Sequence, residues 1–260
     1  MSTRVSAGRE IPGPAVAANT QDWWVSGKGL FEATTVIVGN LAGQVSEHVI
    51  TDTEIKPADQ YSGSRFGHNR PMDRRVTSES RTFLIGLADG RVFLSVVRGL
   101  PGGHIDPPVK LSGPLVAARP PDKHVLMVEN DVGFDIVVIT HDGGVFVNRL
   151  IPSGGGTPAI GPAVRATGSP VAFNTQDRWV ISGKVNRFNP REEFFVITSA
   201  GEVFSNEYKS NPGGVPSVGP ATKLTGPPVA PNAQDRWVLM SGGRIAVITD
   251  RGKVFVHDVS

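Results

Sequence analysis

A carboxylate, a guanidinium and an indole follow one another in Gln176-Asp-Arg-Trp179 and again in Gln234-Asp-Arg-Trp237. An asparagine stands three residues before each carboxylate, at Asn174 and Asn232. These groups can do two kinds of chemistry. Asparagine is a paired donor and acceptor for a hydroxyl-rich ligand, arginine meets an anion or a hydroxyl, and an aromatic face stacks on an apolar surface. The same residues can also build turns, through side-chain bonds to nearby backbone N–H groups. Which of the two applies depends on how often the phrase occurs and what positions it.

The phrase occurs five times. Gly226 to Val238 and Gly168 to Val180 are nearly the same text, and Gly13-Pro-Ala-Val-Ala-Ala-Asn-Thr-Gln-Asp-Trp-Trp-Val25 is close. Gly113 to Val125 is looser, and Gly63 to Val76 is the most eroded, with one extra residue. The five aspartates, Asp22, Asp73, Asp122, Asp177 and Asp235, are spaced by 51, 49, 55 and 58 residues. From Asp235 through the C-terminus and back to Asp22 is another 47. The glycines Gly43, Gly90, Gly143, Gly201 and Gly252 give the same count. A carboxylate kept in every copy, degenerate ones included, is read as a structural turn residue.

Each repeat carries the same succession of short apolar runs. After the Asp comes a run such as Trp237-Val-Leu-Met240, then a β-branched one such as Phe194-Phe-Val-Ile-Thr198, a glycine turn, and a third such as Val203-Phe-Ser205. The turn glycines permit the positive φ of tight hairpins. Continuous apolar runs, rather than alternation, suit strands covered on both faces. The last repeat stops after its hairpin, and Ile11 to Ala17 matches the closing half of Ala221 to Ala230. A repeat divided between the two chain ends is what a closed ring requires. The expectation is an all-β, five-bladed β-propeller with about four antiparallel strands per blade, one domain over residues 1–260, its ring closed by N- and C-terminal strands in one blade.

Within that frame the candidate ligand-binding residues are Trp23, Asn19, Asn69, Asn174, Asn232, Arg178 and Arg236. Trp23 stands where the other copies carry Arg74, Lys123, Arg178 and Arg236, so its side chain is expected to face solvent or a cleft. Trp24, Trp179 and Trp237 share a position expected to pack between blades. The cationic segment from 62 to 75, with Arg65, His68, Arg70, Arg74 and Arg75, coincides with the eroded copy and is read as drift. Two insertions, 128–134 and 184–193, break the repeat symmetry, and such loops on a rigid scaffold are where specific binding tends to sit. Their acidic residues lack the alternating carboxylate spacing of a calcium loop, so no metal is expected.

Composition narrows the function classes. A net charge of +2 is too small to imply nucleic acid. The lack of cysteine excludes a disulfide framework and thiolate metal sites. No apolar run approaches the roughly 18 residues of a membrane span, and the first residues lack the apolar stretch of a secretion signal; the compartment stays open. The six histidines show no H-E-x-x-H or H-x-H spacing, and no G-x-S-x-G elbow occurs. No cofactor and no catalytic residue is expected.

The phrase Pro-Val-Ala-x-Asn-x-x-Asp-Arg-Trp-Val, followed by a strand and Asp-x-Gly-x-Val-Phe-Val, resembles the repeats of bacterial propeller lectins of the Photorhabdus fucose-lectin type. Those repeat a Pro-Ala-Val-Ala-x-Asn-x-Asp-Gly-Arg-Leu phrase and an aspartate–glycine hairpin. In blade number the chain is similar to tachylectin-2, a five-bladed lectin for N-acetylated hexosamines. The likeness spans all five repeats; the chain departs from both in its two tyrosines and four tryptophans. It implies shallow sites between blades, with Asn and Arg bonding hydroxyls and an aromatic residue stacking on the sugar. The expected function is non-catalytic binding of a carbohydrate or glycoconjugate in inter-blade clefts, weak per site and strengthened by multivalency. The alternatives are a scaffold that engages a protein through 128–134 and 184–193, and a glycosidase-type propeller.

Overall fold

In the computed structural model four of the five repeat aspartates open a strand: Asp22–Leu30, Asp122–Asn130, Asp177–Asn186 and Asp235–Ser241. The remaining copy opens at Arg75–Ser80. The structure describes residues 3–19, 22–30, 33–66, 75–80, 83–99, 103–117, 122–130, 133–151, 156–186, 189–211 and 213–260. Among these every regular element is a strand.

Each opening strand is the innermost of a blade. It pairs antiparallel with a second strand, the second with a third, and short outer strands follow. In the fourth blade the order is Asp177–Asn186, Asn189–Thr198, Val203–Lys209, then Ser217–Val218 and Thr222–Lys223. The innermost strands form a circle: Asp22–Leu30 touches Arg75–Ser80 and Asp235–Ser241, and Asp122–Asn130 and Asp177–Asn186 complete it. In the fifth blade Arg244–Thr249 and Val254–Asp258 come from the C-terminal end, and the outer strand Arg9–Ile11 comes from the N-terminal end. Ile11 lies opposite Val254 and Arg9 opposite Val256, antiparallel. The molecule is a five-bladed propeller whose seam runs through one blade.

The middle strands explain the continuous apolar runs. Phe194, Phe195 and Ile197 are fully buried, so both faces of the strand are covered. Burying such a side chain contributes about 1.5–3 kcal/mol. The core is divided into five clusters, each spanning two consecutive blades. One joins Ala246, Ile248 and Val254 of the fifth blade to Val36, Val38 and Ile50 of the first, which continues the pattern around the ring.

The Pro-Val-Ala phrase turns the chain from one blade into the next. Val16, Val116, Val171 and Val229 are buried, and their N–H groups donate to the carbonyls of Gly252, Gly90, Gly143 and Gly201. Each following alanine, Ala17, Ala117, Ala172 or Ala230, is left-handed, with φ between 47° and 51°. That conformation costs a non-glycine residue about 1–2 kcal/mol. The hairpin glycines are held by contact as well as by φ: a Cβ on Gly201 would lie 2.7 Å from Cβ of Pro228.

Candidate functional site: the cleft of the fifth blade

Strand register places the phrase and the hairpin at one end of each blade whose opening Asp is described. Asp235 lies opposite Thr249, and Asp177 opposite Thr198, so the Asn-x-x-Asp turn sits beside the glycine hairpin. The pairs Asn130–Gly133 and Asn186–Asn189, which lead into the inserted loops, lie at the other end.

The aspartates close their turns. Oδ2 of Asp177 accepts from the Asn174 N–H and Oδ2 of Asp235 from the Asn232 N–H, both at 2.8 Å. Asp177 and Asp235 are buried and Asp122 is half-buried. Asp22 begins its strand, but its side chain lies outside the described ones, as does the whole of Asp73.

The cation after Asp122, Asp177 and Asp235 reaches the next blade. Arg178 donates from Nη1 to the Asn232 carbonyl and from Nη2 to the Asp235 carbonyl, both at 2.9 Å. Lys123 donates to the Ala172 carbonyl at 3.0 Å, and Arg236 donates across the seam to the Asn19 carbonyl at 2.9 Å. The guanidinium groups of Arg178 and Arg236 lie over the rings of Trp179 and Trp237, 5.1 and 5.3 Å from the ring centroids. The two indoles pack on the inter-blade clusters. Asn19, Asn174 and Asn232 are exposed on the same face. The structure therefore brings Arg178 to Asn232 and Arg236 to Asn19, through backbone carbonyls. Asn69 and the side chain of Trp23 lie outside the described residues.

A cleft of about 430 Å³ opens between the linker at 228–235 and the hairpin of the fifth blade, with Gly8 of the N-terminal segment on its wall. Phe255 lines it, surrounded by Asn232, Gln234, Thr249, Asp250 and Arg251. The residue opposite the equivalent phenylalanine is a cation in three other blades: Lys110 opposite Phe93, Arg165 opposite Phe146 and Lys223 opposite Phe204. Arg165 lies over the Phe146 ring, 5.9 Å from its centroid. In the fifth blade the opposing residue is Glu10, and its carboxylate is drawn to Nζ of Lys253 at 2.9 Å. No guanidinium is available from that position to cover Phe255.

His257 also lines this cleft and is buried. Its Nδ1 lies 3.0 Å from the Ser6 carbonyl, which makes Nδ1 the donor of the neutral ring and Nε2 the acceptor. Burial pushes its pKa below the ordinary histidine value, and the Ser6 bond only partly opposes this.

Sequence reasoning missed Phe255 and His257 as site residues. Val-Phe recurs in four repeats and reads as core; the departure, Glu10 in place of a cation, becomes visible only when the strands are paired. It also missed two buried carboxylates. Asp135, with no exposed surface, accepts from Nε of Arg149 at 3.2 Å, from the Tyr208 hydroxyl at 2.9 Å and from Oγ of Ser210 at 2.8 Å. Burial and the Asp135 charge push the Tyr208 pKa far up. Glu47 accepts from the Tyr61 hydroxyl. Both tyrosines of the chain thus donate to buried carboxylates. In the inserted hairpin of the fourth blade, Lys184 pairs with Glu192 at 3.3 Å. Among the described residues no three metal-ligating side chains gather.

No family model and no curated protein matches the chain. Among solved structures it is similar to the glutaminyl cyclase of Myxococcus xanthus, at 13% identity and a TM-score of 0.44, covering 100% of this chain and 99% of that one. It is also similar to BBS1N in complex with ARL6DN (13% identity, TM-score 0.38, 92% and 96% covered). The Cps50 (Swd1) beta-propeller domain of Myceliophteria thermophila matches at 9% identity and a TM-score of 0.35, with 87% and 66% covered. The propeller assignment rests on the sheet order and ring contacts of this chain.

Proposed function

We propose that the protein is a non-catalytic carbohydrate-binding propeller and that a sugar ring occupies the cleft of the fifth blade. The observation that carries this reading is Phe255: an aromatic side chain in a cleft ringed by hydrogen-bonding groups, at a position where the third blade covers its phenylalanine with Arg165. The volume of about 430 Å³ falls in the range of small-molecule clefts. The face of Phe255 meets the C–H face of the sugar, Asn232, Gln234 and Thr249 bond its hydroxyls, and Asp250 accepts from a hydroxyl pair. Asn232 is the sequence candidate that belongs to this site. Arg178 acts one step back, by fixing the linker that forms a cleft wall, and Arg236 holds the corresponding linker at Asn19, outside this cleft. A non-catalytic role is favoured because the buried carboxylates Asp135 and Glu47 are engaged in hydrogen bonds to Tyr208, Ser210, Arg149 and Tyr61.

A glycan array, followed by calorimetry of the best ligand against Phe255→Ala and Arg178→Ala, tests this reading. Phe255→Ala should abolish binding, whereas Arg178→Ala should lower stability and leave most of the affinity. No binding to any glycan at millimolar sensitivity removes it. The scaffold reading keeps one supporting observation: the hairpin of the fourth blade, with 10 residues in each strand, outgrows the described hairpin strands of the other blades. Loss of a captured protein on shortening 184–193, with glycan binding intact, would favour it.

A further inference from the structure

The ring is a covalent chain everywhere except at the fifth blade, where two chain ends meet through noncovalent bonds. Arg4 and Ser260 exchange backbone bonds at 2.7 and 2.9 Å, Val5 N–H donates to the Thr225 carbonyl at 2.8 Å, Thr225 N–H to the Thr3 carbonyl at 3.4 Å, Ser6 N–H to the Asp258 carbonyl at 2.9 Å, and Asp258 N–H to Oγ of Ser6 at 2.8 Å. Arg9–Ile11 adds three paired residues, and Val5 seats its side chain in the core between the fourth and fifth blades.

His257 stands inside this junction. Its position on the third strand is polar and buried in every blade: His48, Ser95, Asn148, Asn206 and His257. In the third and fourth blades the side chain ties the third strand to the outer segment, with Nδ2 of Asn148 donating to the Gly161 carbonyl and Nδ2 of Asn206 to the Gly219 carbonyl, both at 3.0 Å. His257 makes the equivalent bond to Ser6, 251 residues away. Only in the fifth blade does this tie join the two ends of the chain, and there the donor is a group that titrates near neutrality. The ring is also wedged: a Cβ on Gly8 would lie 2.7 Å from Cε1 of His257. The Gly8 segment lies directly against the imidazole, and both line the cleft.

We propose that His257 is an acid-sensitive latch, whose protonation releases residues 4–11 from the fifth blade and opens the cleft that Gly8 helps to wall. A second proton on Nε2 puts charge on a ring that is 5% exposed. The charged groups around it are Asp235 from the inner strand, Asp258 beside it on its own strand, Asp250, Arg251 and Lys253 on the hairpin, and Arg9 and Glu10 on the N-terminal strand. The two nearest acids are already engaged, Asp235 in its turn and Asp258 with Arg244 at 3.1 Å. Burial outweighs them and lowers the pKa. His257 therefore binds the proton more tightly when the segment is released than when it is closed. Closure is full above the ordinary value of 6.5 and is lost as pH falls through it towards the lower closed-state value.

The latch is tested on the protein alone, so it succeeds or fails independently of sugar binding. Hydrogen exchange is followed at pH 7.5 and 5.0 in peptides covering 3–11 and 254–260, with correction for intrinsic rates. In the wild type, seam protection should fall by roughly tenfold for each unit by which burial displaces the pKa, while peptides of the third blade stay unchanged. His257→Asn, which copies the residue at 148 and 206, keeps the donor and removes the titration; its seam protection should be the same at both pH values. An equal loss in the variant, or no loss in the wild type, overturns the proposal. If His257→Asn fails to fold, an NMR titration of His257 Cε1–H in the wild type decides: a midpoint below 6.5 supports the latch and one at or above it overturns it.

Discussion

Arg236 donates from Nη1 to the Asn19 carbonyl at 2.9 Å, across 217 residues of chain. One blade earlier Arg178 reaches the carbonyls of Asn232 and Asp235 in the same way. The repeat thus uses one device within the chain and again across its seam. A hydrogen bond from a charged donor contributes about 1.5–3 kcal/mol, less where water competes. Arg236→Ala should lower unfolding stability by about 1–2 kcal/mol, read from the urea midpoint. Arg236→Lys should recover part of that, since an ammonium keeps a donor but loses the planar fork over Trp237.

The left-handed alanines reverse the usual effect of glycine. Ala172→Gly relieves about 1–2 kcal/mol of backbone strain, against about 0.8 kcal/mol for the lost methyl and 0.5–1 kcal/mol of chain entropy. Its stability should stay within about 0.5 kcal/mol of wild type. Ala246→Gly, in a buried strand position with no strain to relieve, should cost about 1.3–1.8 kcal/mol. Thermal melts of the two variants side by side make the comparison.

Asp135 ties the third blade to the fourth. Asp135→Ala leaves Arg149, Tyr208 and Ser210 without their shared acceptor and should cost about 3–5 kcal/mol. Replacing Asp135 and Arg149 together, by Leu and Met, should cost less than Asp135→Ala alone, because no charge is then stranded. Chemical denaturation of the single and double variants checks both statements.

Glu193 gives a pH dependence of opposite sign to that of His257. Burial raises its pKa above the ordinary 4.5, with the Glu207 charge adding and the Ser205 bond opposing. Its contribution favours the fold below that value and is lost as pH rises through the raised pKa. Glu193→Gln, which stays neutral and still offers an acceptor to Ser205, should be more stable than wild type at pH 7. The gap should shrink towards zero by pH 4, as measured by stability curves at a series of pH values.

Much of the architecture was legible because it is written five times. The phrase spacing gave the number of blades, the repeat divided between the termini gave the closure at Arg9–Ile11 and Val254–Asp258, and the uninterrupted run at Phe194 to Ile197 gave strands covered on both faces. The turn bonds of Asp177 and Asp235 act on backbone three residues away, within reach of local reasoning.

The destinations of side chains were not legible. Whether Arg178 faces a ligand or the next blade depends on where the carbonyls of residues more than fifty positions away come to rest. Phe255 looks like every other hairpin phenylalanine until the chain ends are brought together and Glu10 falls opposite it. Asp135 and Tyr208 lie 73 residues apart and meet only when two blades stack. Repetition and local turns fix the ring from the sequence alone, because they act over short separations or through counting. The cleft and the latch exist only in the folded chain, because each is made where two distant segments happen to pair.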